Sequence, residues 1–560
     1  MPLEKPWLRH YPQEIDPTYD YPRHNVAQFL INAARDCPQR PALEFMGKQL
    51  RYERLHEESC RFANALARLG ITRKERVAIM LPNCPQTVIA YYGTLMAGCV
   101  AVLTNPLYKE RELELQLADS GAMAIVTLDA LFPRVRAVQA RTKLRHIIVT
   151  SIKDYLPFPK NVLYPIKARR SGHTAEVAYG DDVHAFNALL KSVPPRFSCV
   201  EVDAENDLAL LQYTGGTTST SKGVMLTHGN LVANTMQAGT WFHKMKRGEE
   251  IFLGALPFFH VFGMTILMNL CTLCRGMNVL VPKFEPGEVL RLIHRLRPTV
   301  FPGAPTMYIA LINHPDIHEY DLSSIRMCLS GAASLPLEVQ ERFEALTGCV
   351  LIEGYGLTEA SPITHANLLW GARKNGSIGI PFPDTEAKIV DPSTGEELPL
   401  GEVGELAVRG PQVMKGYWGK PEVTMKALKD GWLYTGDMAR MDEDGFFAIM
   451  DRKKDLIIAG GFNIYPREVE EVLFEHPQVQ EAVVVGVPDP YRGETVKAYI
   501  ISRPGGSPPS EEELNLWCRE RLASYKVPRQ YEFRTELPKT IAGKVLRRKL
   551  LEEEEMLLKR

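Results

Sequence analysis

The run YTGGTTSTSKG (213–223) sets Gly215 and Gly216 among the hydroxyls of Thr214, Thr217, Thr218, Ser219, Thr220 and Ser221, and closes on Lys222. Glycines let a backbone approach an anion closely, hydroxyls and amides donate to it, and an ammonium neutralises it. That is phosphate-binding chemistry. A P-loop would carry glycine before its lysine and Ser/Thr after it, at the start of a helix. Here Ser221 precedes Lys222 and Gly223 follows it, so the spacing excludes that loop. Residues 208–213 and 224–227 read as strands, which predicts a strand–loop–strand cradle; a flexible polar turn is the other reading of this stretch alone.

Three further constellations bear on the choice. EGYGLTEASP (353–362) brackets Tyr355 between Gly354 and Gly356 and follows with Thr358 and Glu359, a turn after a buried strand. A carboxylate there can share a hard cation such as Mg²⁺ with phosphate oxygens. GWLYTGD (431–437) ends a strand in a turn presenting Asp437, an acceptor suited to two ribose hydroxyls. LPKTIAGKVLRRK (537–549) presents Lys544 after a glycine. Each is weak alone; together they point to a nucleotide-using enzyme.

The elements that must position these residues follow the periodicity. Strand-like runs at 76–82, 100–103, 124–128, 146–150, 278–282 and 350–356 alternate with amphipathic helices such as 109–119 and 286–296, which predicts α/β layers. After about residue 385 the pattern changes to short strands with Gly/Pro turns. DRKKD (451–455) reads as a linker or hinge. A compact α+β unit follows, with helices over 466–477 and 511–522 and strands at AVVVGV and 496–501. The acidic EEEE near the C-terminus reads as a solvated helix face.

At 560 residues, several domains are expected. Lys+Arg total 66 against 67 Asp+Glu, so no global charge favours nucleic acid. The ten cysteines lie scattered in apolar segments, without a second C-x-x-C at zinc spacing, and read as free thiols of a reducing compartment. The start lacks the apolar core of an export signal, and the most apolar run, 88–103, is too short for a bilayer span; a cytoplasmic protein is expected. SIKDYLPFPKNVLYPIKARRSGH (151–173) is rich in proline, aromatic and basic residues, and reads as a surface excursion or a membrane-surface contact.

YTGGTTSTSKG, GYGLTE, YTGD, DRKKD, GGFNIYPREVE and PKTIAGK, in that order, resemble the signature of the adenylate-forming superfamily of acyl-CoA synthetases, adenylation domains and luciferases. The resemblance spans nearly the full chain. KPWLRHYP, NPLYKERELELQL, LQYTGGTT and EGYGLTEASP are most similar to bacterial long-chain fatty acid–CoA ligases.

The resemblance implies a large multi-subdomain N-terminal domain (1–450), a hinge (451–455) and a small mobile α+β domain (456–560). It implies that a fatty carboxylate attacks the α-phosphate of ATP, giving acyl-adenylate and pyrophosphate, and that CoA then takes the acyl group. The loop with Gly215, Gly216, Thr218 and Lys222 would hold the β- and γ-phosphates, with Thr214 at its mouth. Thr217 and Glu359 would position Mg²⁺, and Thr358 would touch the phosphates. Asp437 and Arg452 would bind ribose, while Tyr355, between Gly354 and Gly356, and the backbone of Gly331, Ala332 and Ala333 would flank adenine. Lys544 would serve adenylation. Rotation about Lys454 would withdraw it and bring in Gly461 beside the pantetheine arm. His260 stands at the family's aromatic gate, although an isolated histidine among apolar residues is also read as a core residue.

The segments 260–270 and 301–311, with Gly303 and Gly331–Ala333, are where the family lines its acyl channel. Each buried CH₂ is worth about 0.8 kcal/mol, so channel depth sets chain-length preference. Many members carry glycine and proline where this chain has Ser219 and Ser221, which bears on loop mobility. A homodimer is implied by resemblance alone. The remaining alternatives are a ligase for medium-chain or aromatic acids, one that loads a carrier protein, or a non-catalytic acyl-adenylate or acyl-CoA binding module.

Overall fold

The computed structural model describes residues 5–164, 175–214, 221–452, 455–459, 462–489, 492–504, 507–540 and 545–558. Two large sheets form the body. In the first, Arg76–Met80, Val100–Leu103, Ala124–Leu128, His146–Thr150, Val183–Ala185 and Leu208–Thr214 run parallel. Lys222–Thr227 then turns back antiparallel beside Leu208–Thr214, and the two-residue strand Gly416–Tyr417 closes that edge. In the second, Pro41–Phe45, Met277–Leu280, Ile251–Gly254, Val300–Gly303, Met327–Ser330 and Val350–Gly356 run parallel; Lys48–Arg51 caps one edge, and Ile363–Ala366 and Ile380–Pro381 the other.

The strands are near-continuous apolar runs because helices cover both faces of a parallel sheet. The helix Pro286–Leu296 buries Val289, Leu290 and Ile293 on one face, and proline opens its first turn. Pro85–Met96 is wholly buried, and its polar Gln86 is hydrogen-bonded to Thr150 and Ser151. The apolar run at 88–103 is therefore this helix followed by the strand Val100–Leu103, and no described helix is long and apolar enough to cross a membrane.

A third, antiparallel sheet contains Glu386–Val390, Gly404–Arg409, Leu428–Lys429, Trp432–Met441 and Phe447–Arg452. Asp451 and Arg452, the first residues of the charge cluster, thus finish a strand. Residues beyond them build their own cores, one joining Ile457, Ile464, Val469, Leu473, Val484, Ala498 and Cys518. Here Ile457–Ala459, Phe462–Ile464, Val479–Asp489, Gly493–Ser502 and Gln530–Phe533 form a sheet with the helices Pro466–Phe474, Glu511–Arg521 and Arg547–Leu558.

The solvated-face reading of the C-terminal glutamates needs correction at one residue. Glu554 turns inward, where Lys497 Nζ and the Tyr499 hydroxyl each donate to it at 2.6 Å. A lysine buried in the sheet requires counter-charge, and Glu554 of the helix and Glu532 of the neighbouring strand supply it. All ten cysteines are unpaired, seven of them buried.

The N-terminal arm packs on the third sheet. Trp7 is 1% exposed and meets Phe447 edge-on at 5.9 Å. A Cβ on Gly445, whose φ is +84°, would lie 2.5 Å from the Trp7 nitrogen, so only glycine fits beneath the arm. Arg9 pairs with Asp444 at 2.7 Å, and the Tyr11 hydroxyl donates to the Pro381 carbonyl at 2.7 Å.

Candidate active site

The phosphate-type loop springs from the hairpin of Leu208–Thr214 and Lys222–Thr227, with Thr214 opposite Lys222 and Tyr213 opposite Gly223. It therefore joins two strands. Ser221 Oγ donates to the Thr214 carbonyl at 2.8 Å and ties the neck of the loop. Gly223 is packed tightly: a Cβ there would come within 3.1 Å of the Tyr213 ring and 3.3 Å of Trp418 Cβ. Gly215, Gly216, Thr217, Thr218 and Ser219 lie outside the described residues, as do Lys454, Gly461 and Lys544.

The second component comes from the other large sheet. Val350–Gly356 pairs antiparallel with Ile363–Ala366, and the turn between them holds a short 3₁₀ segment, Thr358–Ala360. The turn is tight because a Cβ on Gly356 would sit 2.2 Å from the Pro362 carbonyl oxygen; one on Gly354 would meet Leu329 at 2.8 Å. Glu359 leaves this turn toward the hairpin. Its carbonyl accepts from Met414 N at 2.8 Å, and its Oε1 accepts from the Tyr417 hydroxyl at 2.8 Å.

Tyr417 was not singled out by its sequence context. Its strand pairs with the hairpin, Tyr417 opposite Val224, and Lys222 Nζ stands 4.8 Å from its ring centroid. Burial, and then the Glu359 charge, push the Tyr417 phenol well above its ordinary range, so it stays protonated and donates.

The third component is the turn in Trp432–Met441. Gly436, at φ +73°, bends the strand, and Asp437 then lies opposite Arg452 in register. The Tyr355 hydroxyl donates to Asp437 Oδ2 at 2.5 Å, and Arg452 Nε is 3.3 Å from Oδ1. Burial and the Asp437 charge likewise keep Tyr355 protonated. Tyr355, Asp437 and Arg452 therefore form one cluster drawn from two sheets.

Gly331, Ala332 and Ala333 follow the strand Met327–Ser330. Gly331 N donates to the Gly303 carbonyl at 3.1 Å, Ala332 takes a left-handed φ of +70°, and Ala332 and Ala333 are exposed. A Cβ on Gly331 would lie 3.0 Å from the Phe262 ring, and one on Gly303 would lie 3.0 Å from the Tyr308 ring. Both glycines make room for aromatic rings. His260 is half-buried, and its Nδ1 accepts from Phe262 N at 3.3 Å, capping the helical turn Val261–Gly263. That turn continues as the π-helical stretch Met264–Leu270, every residue of it buried. Such wide turns recur at functional sites.

Beside the Gly-Tyr-Gly turn, Glu353 is buried against Arg467 of the helix Pro466–Phe474, at 3.7 Å. Burial raises its carboxyl to about 7, against the pull of Arg467. Neither residue was selected from the sequence, because a charged pair distant in the chain has no local signal.

Among the described residues, no group of three or more His, Cys, Asp or Glu could hold a metal ion. A single carboxylate, Glu359, beside a lysine-bearing phosphate-type loop suits a hard cation whose other ligands are phosphate oxygens and water, not an all-protein cage.

Lys222 of the hairpin, the Glu359 turn and the cluster of Tyr355, Asp437 and Arg452 are thus gathered from three sheets, a donor and charge set suited to a nucleotide polyphosphate. The chain belongs to the AMP-binding enzyme family, whose model matches residues 30–418; the model of the AMP-binding enzyme C-terminal domain matches 468–544. The chain is 52% identical over 555 residues to the long-chain-fatty-acid–CoA ligase of Bacillus subtilis (strain 168), covering 99% of each. It is 41% identical over 558 residues to the long-chain-fatty-acid–CoA ligase of Yersinia pestis, covering 99% of this chain and 98% of that one. Among solved structures, the anthranilate CoA ligase AuaEII in complex with anthranoyl-AMP superposes with a TM-score of 0.86 at 28% identity, covering 96% of this chain and 99% of its own.

Proposed function

We propose that the protein is a cytoplasmic long-chain fatty acid–CoA ligase. ATP and a fatty acid give acyl-adenylate and pyrophosphate; CoA thiol then takes the acyl group, giving acyl-CoA and AMP. The observation that carries this reading is the convergence of Lys222, Glu359, Tyr355, Asp437 and Arg452 from three sheets onto one region. The full-length identity to long-chain ligases favours a long chain over an aromatic acid.

A carboxylate is ionised at neutral pH, so the first step needs no general base; it needs alignment and neutralisation of the phosphate charge. Lys222 and the loop carrying Gly215, Gly216, Thr217 and Thr218 hold the β- and γ-phosphates, joined by Thr358. Mg²⁺, held by Glu359 and Thr217, would offset phosphate charge. Asp437 accepts from the ribose hydroxyls, with Tyr355 and Arg452 fixing its carboxylate. Gly331–Ala333 and Tyr355 flank adenine. Lys544 contacts the carboxylate and α-phosphate oxygens. A rotation of residues 456–560 about the 451–455 hinge at Lys454 replaces Lys544 with Gly461 for thioester formation, and His260 gates the passage between the acid and thiol sites.

A peripheral membrane contact completes the reading. Phe158, Val162 and Leu163 are 82%, 59% and 57% exposed, beside Lys153 and Lys160, a composition suited to a headgroup layer. A homodimer is part of the same reading, by family likeness.

Acid-dependent ATP–pyrophosphate exchange, run from butyrate to stearate and with benzoate, with and without CoA, tests the proposal. Exchange that strengthens with chain length, and thioester only with CoA, is expected. A preference for benzoate would move the protein to the aromatic-acid ligases. ATP binding without exchange would make it a binding module.

A further inference from the structure

Lys222 and Glu359 belong to different motifs on different sheets, and Tyr417 touches both. Its ring lies 4.8 Å from Lys222 Nζ, and its hydroxyl donates to Glu359 Oε1 at 2.8 Å. We propose that Tyr417 is a positioning residue for the nucleotide polyphosphate, holding the lysine ammonium on its ring face and the glutamate carboxylate on its hydroxyl at a set separation. The proposal rests on the ligase reading above.

The arrangement solves an electrostatic problem. Paired directly, the two charges would neutralise each other and neither would serve a phosphate or a cation. A ring face attracts an ammonium without cancelling its charge, and a phenol fixes one carboxylate oxygen without protonating it. Tyr417 is itself clamped to the hairpin that carries Lys222. Its register partner is Val224, its N–H donates to Thr424 Oγ1 at 2.9 Å, and Trp418 N donates to the Gly223 carbonyl at 2.8 Å. Gly416 makes the approach possible: at φ +144° its added Cβ would fall 2.7 Å from Thr424 Cγ2. The lysine and the tyrosine thus share one rigid hairpin edge, while the hydroxyl reaches the turn of the second sheet.

The test is calorimetric titration of wild type, Tyr417→Phe and Tyr417→Leu with ATP and with AMP, each with and without Mg²⁺, alongside thioester formation from synthetic acyl-adenylate. Tyr417→Leu is expected to weaken ATP binding about tenfold while AMP affinity and thioester formation stay unchanged. Tyr417→Phe, which keeps the ring, is expected to bind ATP normally without Mg²⁺ and to lose part of the gain that Mg²⁺ brings. Thermal unfolding checks the fold, and if Tyr417→Leu is unfolded the phenylalanine variant decides alone. ATP affinity unchanged in Tyr417→Leu, equal loss of ATP and AMP, or a full Mg²⁺ gain in Tyr417→Phe would overturn the proposal. Wild type that binds no ATP would instead sink the ligase reading, and this proposal with it.

Discussion

Glu353 Oε2 and Arg467 Nη2 face each other at 3.7 Å in a buried contact, and neither atom has a hydrogen-bond partner among the described residues. Arg467 commits its other groups elsewhere: Nη1 donates to the Ile449 carbonyl at 2.8 Å, Nε to Glu471 at 2.8 Å, and its backbone N to Asp451 at 3.0 Å. Asp451 also meets Arg547 at 3.2 Å, and Arg547 reaches Glu470 at 2.7 Å. The strand that ends in Gly-Tyr-Gly is therefore joined by charge to the helix Pro466–Phe474 and to the start of Arg547–Leu558.

A pH dependence of stability follows. The Glu353 carboxyl is raised from 4.5 to about 7, so between these values the folded protein keeps a proton that the unfolded chain has released. Its contribution to stability therefore falls as pH rises through that window, by about 3 kcal/mol. Glu353→Gln is expected to remove this slope, gaining on wild type as pH rises from 5 to 7.5. Melting temperatures across that range check it; parallel profiles would count against a titrating Glu353.

The two half-reactions should separate by mutation. Lys544→Ala is expected to abolish acid-dependent pyrophosphate exchange yet still make thioester from supplied acyl-adenylate. Gly461→Leu is expected to do the reverse. Loss of both half-reactions in either variant would argue against domain rotation.

Asp437→Ala removes the acceptor shared by Tyr355 and Arg452. It is expected to lower kcat/KM for ATP by about ten- to a hundredfold, the range for lost hydrogen bonds to a charged group. The control is 2′,3′-dideoxy-ATP, with which variant and wild type should converge. A difference that persists with the dideoxy nucleotide would mean that Asp437 acts only in packing.

Ser221→Ala breaks the 2.8 Å tie across the loop neck. One neutral hydrogen bond is worth about 1 kcal/mol, so ATP should bind about two- to fivefold more weakly, with the melting temperature little changed. Unaltered affinity would show that the neck needs no tie.

Phe158→Asp with Leu163→Asp should reduce co-sedimentation with anionic vesicles while leaving exchange on a short, soluble acid at the wild-type rate. Equal co-sedimentation would remove the membrane contact from the functional reading.

Much of this fold is legible in local pattern. AIVTL and HIIVT are the strands Ala124–Leu128 and His146–Thr150, and the helix expected at 286–296 is Pro286–Leu296, because long apolar runs and proline-started amphipathic turns are local signals. The strand–loop–strand form around Lys222 was readable for the same reason. Tyr417 was not. A two-residue strand has no period, and 401–418 reads as part of the later short-strand region although its end returns to the first large sheet. Glu554 was misread because four consecutive glutamates say nothing about a lysine buried on the sheet beneath one of them. The π-helical stretch Met264–Leu270 was equally hidden, since an apolar run fits several helical periods.

Trp7 and Arg9 pack against Gly445, Phe447 and Asp444. During synthesis, Trp7 and Arg9 must therefore wait for partners that follow some 434 residues later. Throughout that interval an indole and its neighbours remain uncovered, available to a chaperone or to a wrong partner. Docking of the arm would then be a late event of synthesis, reporting that the third sheet has formed.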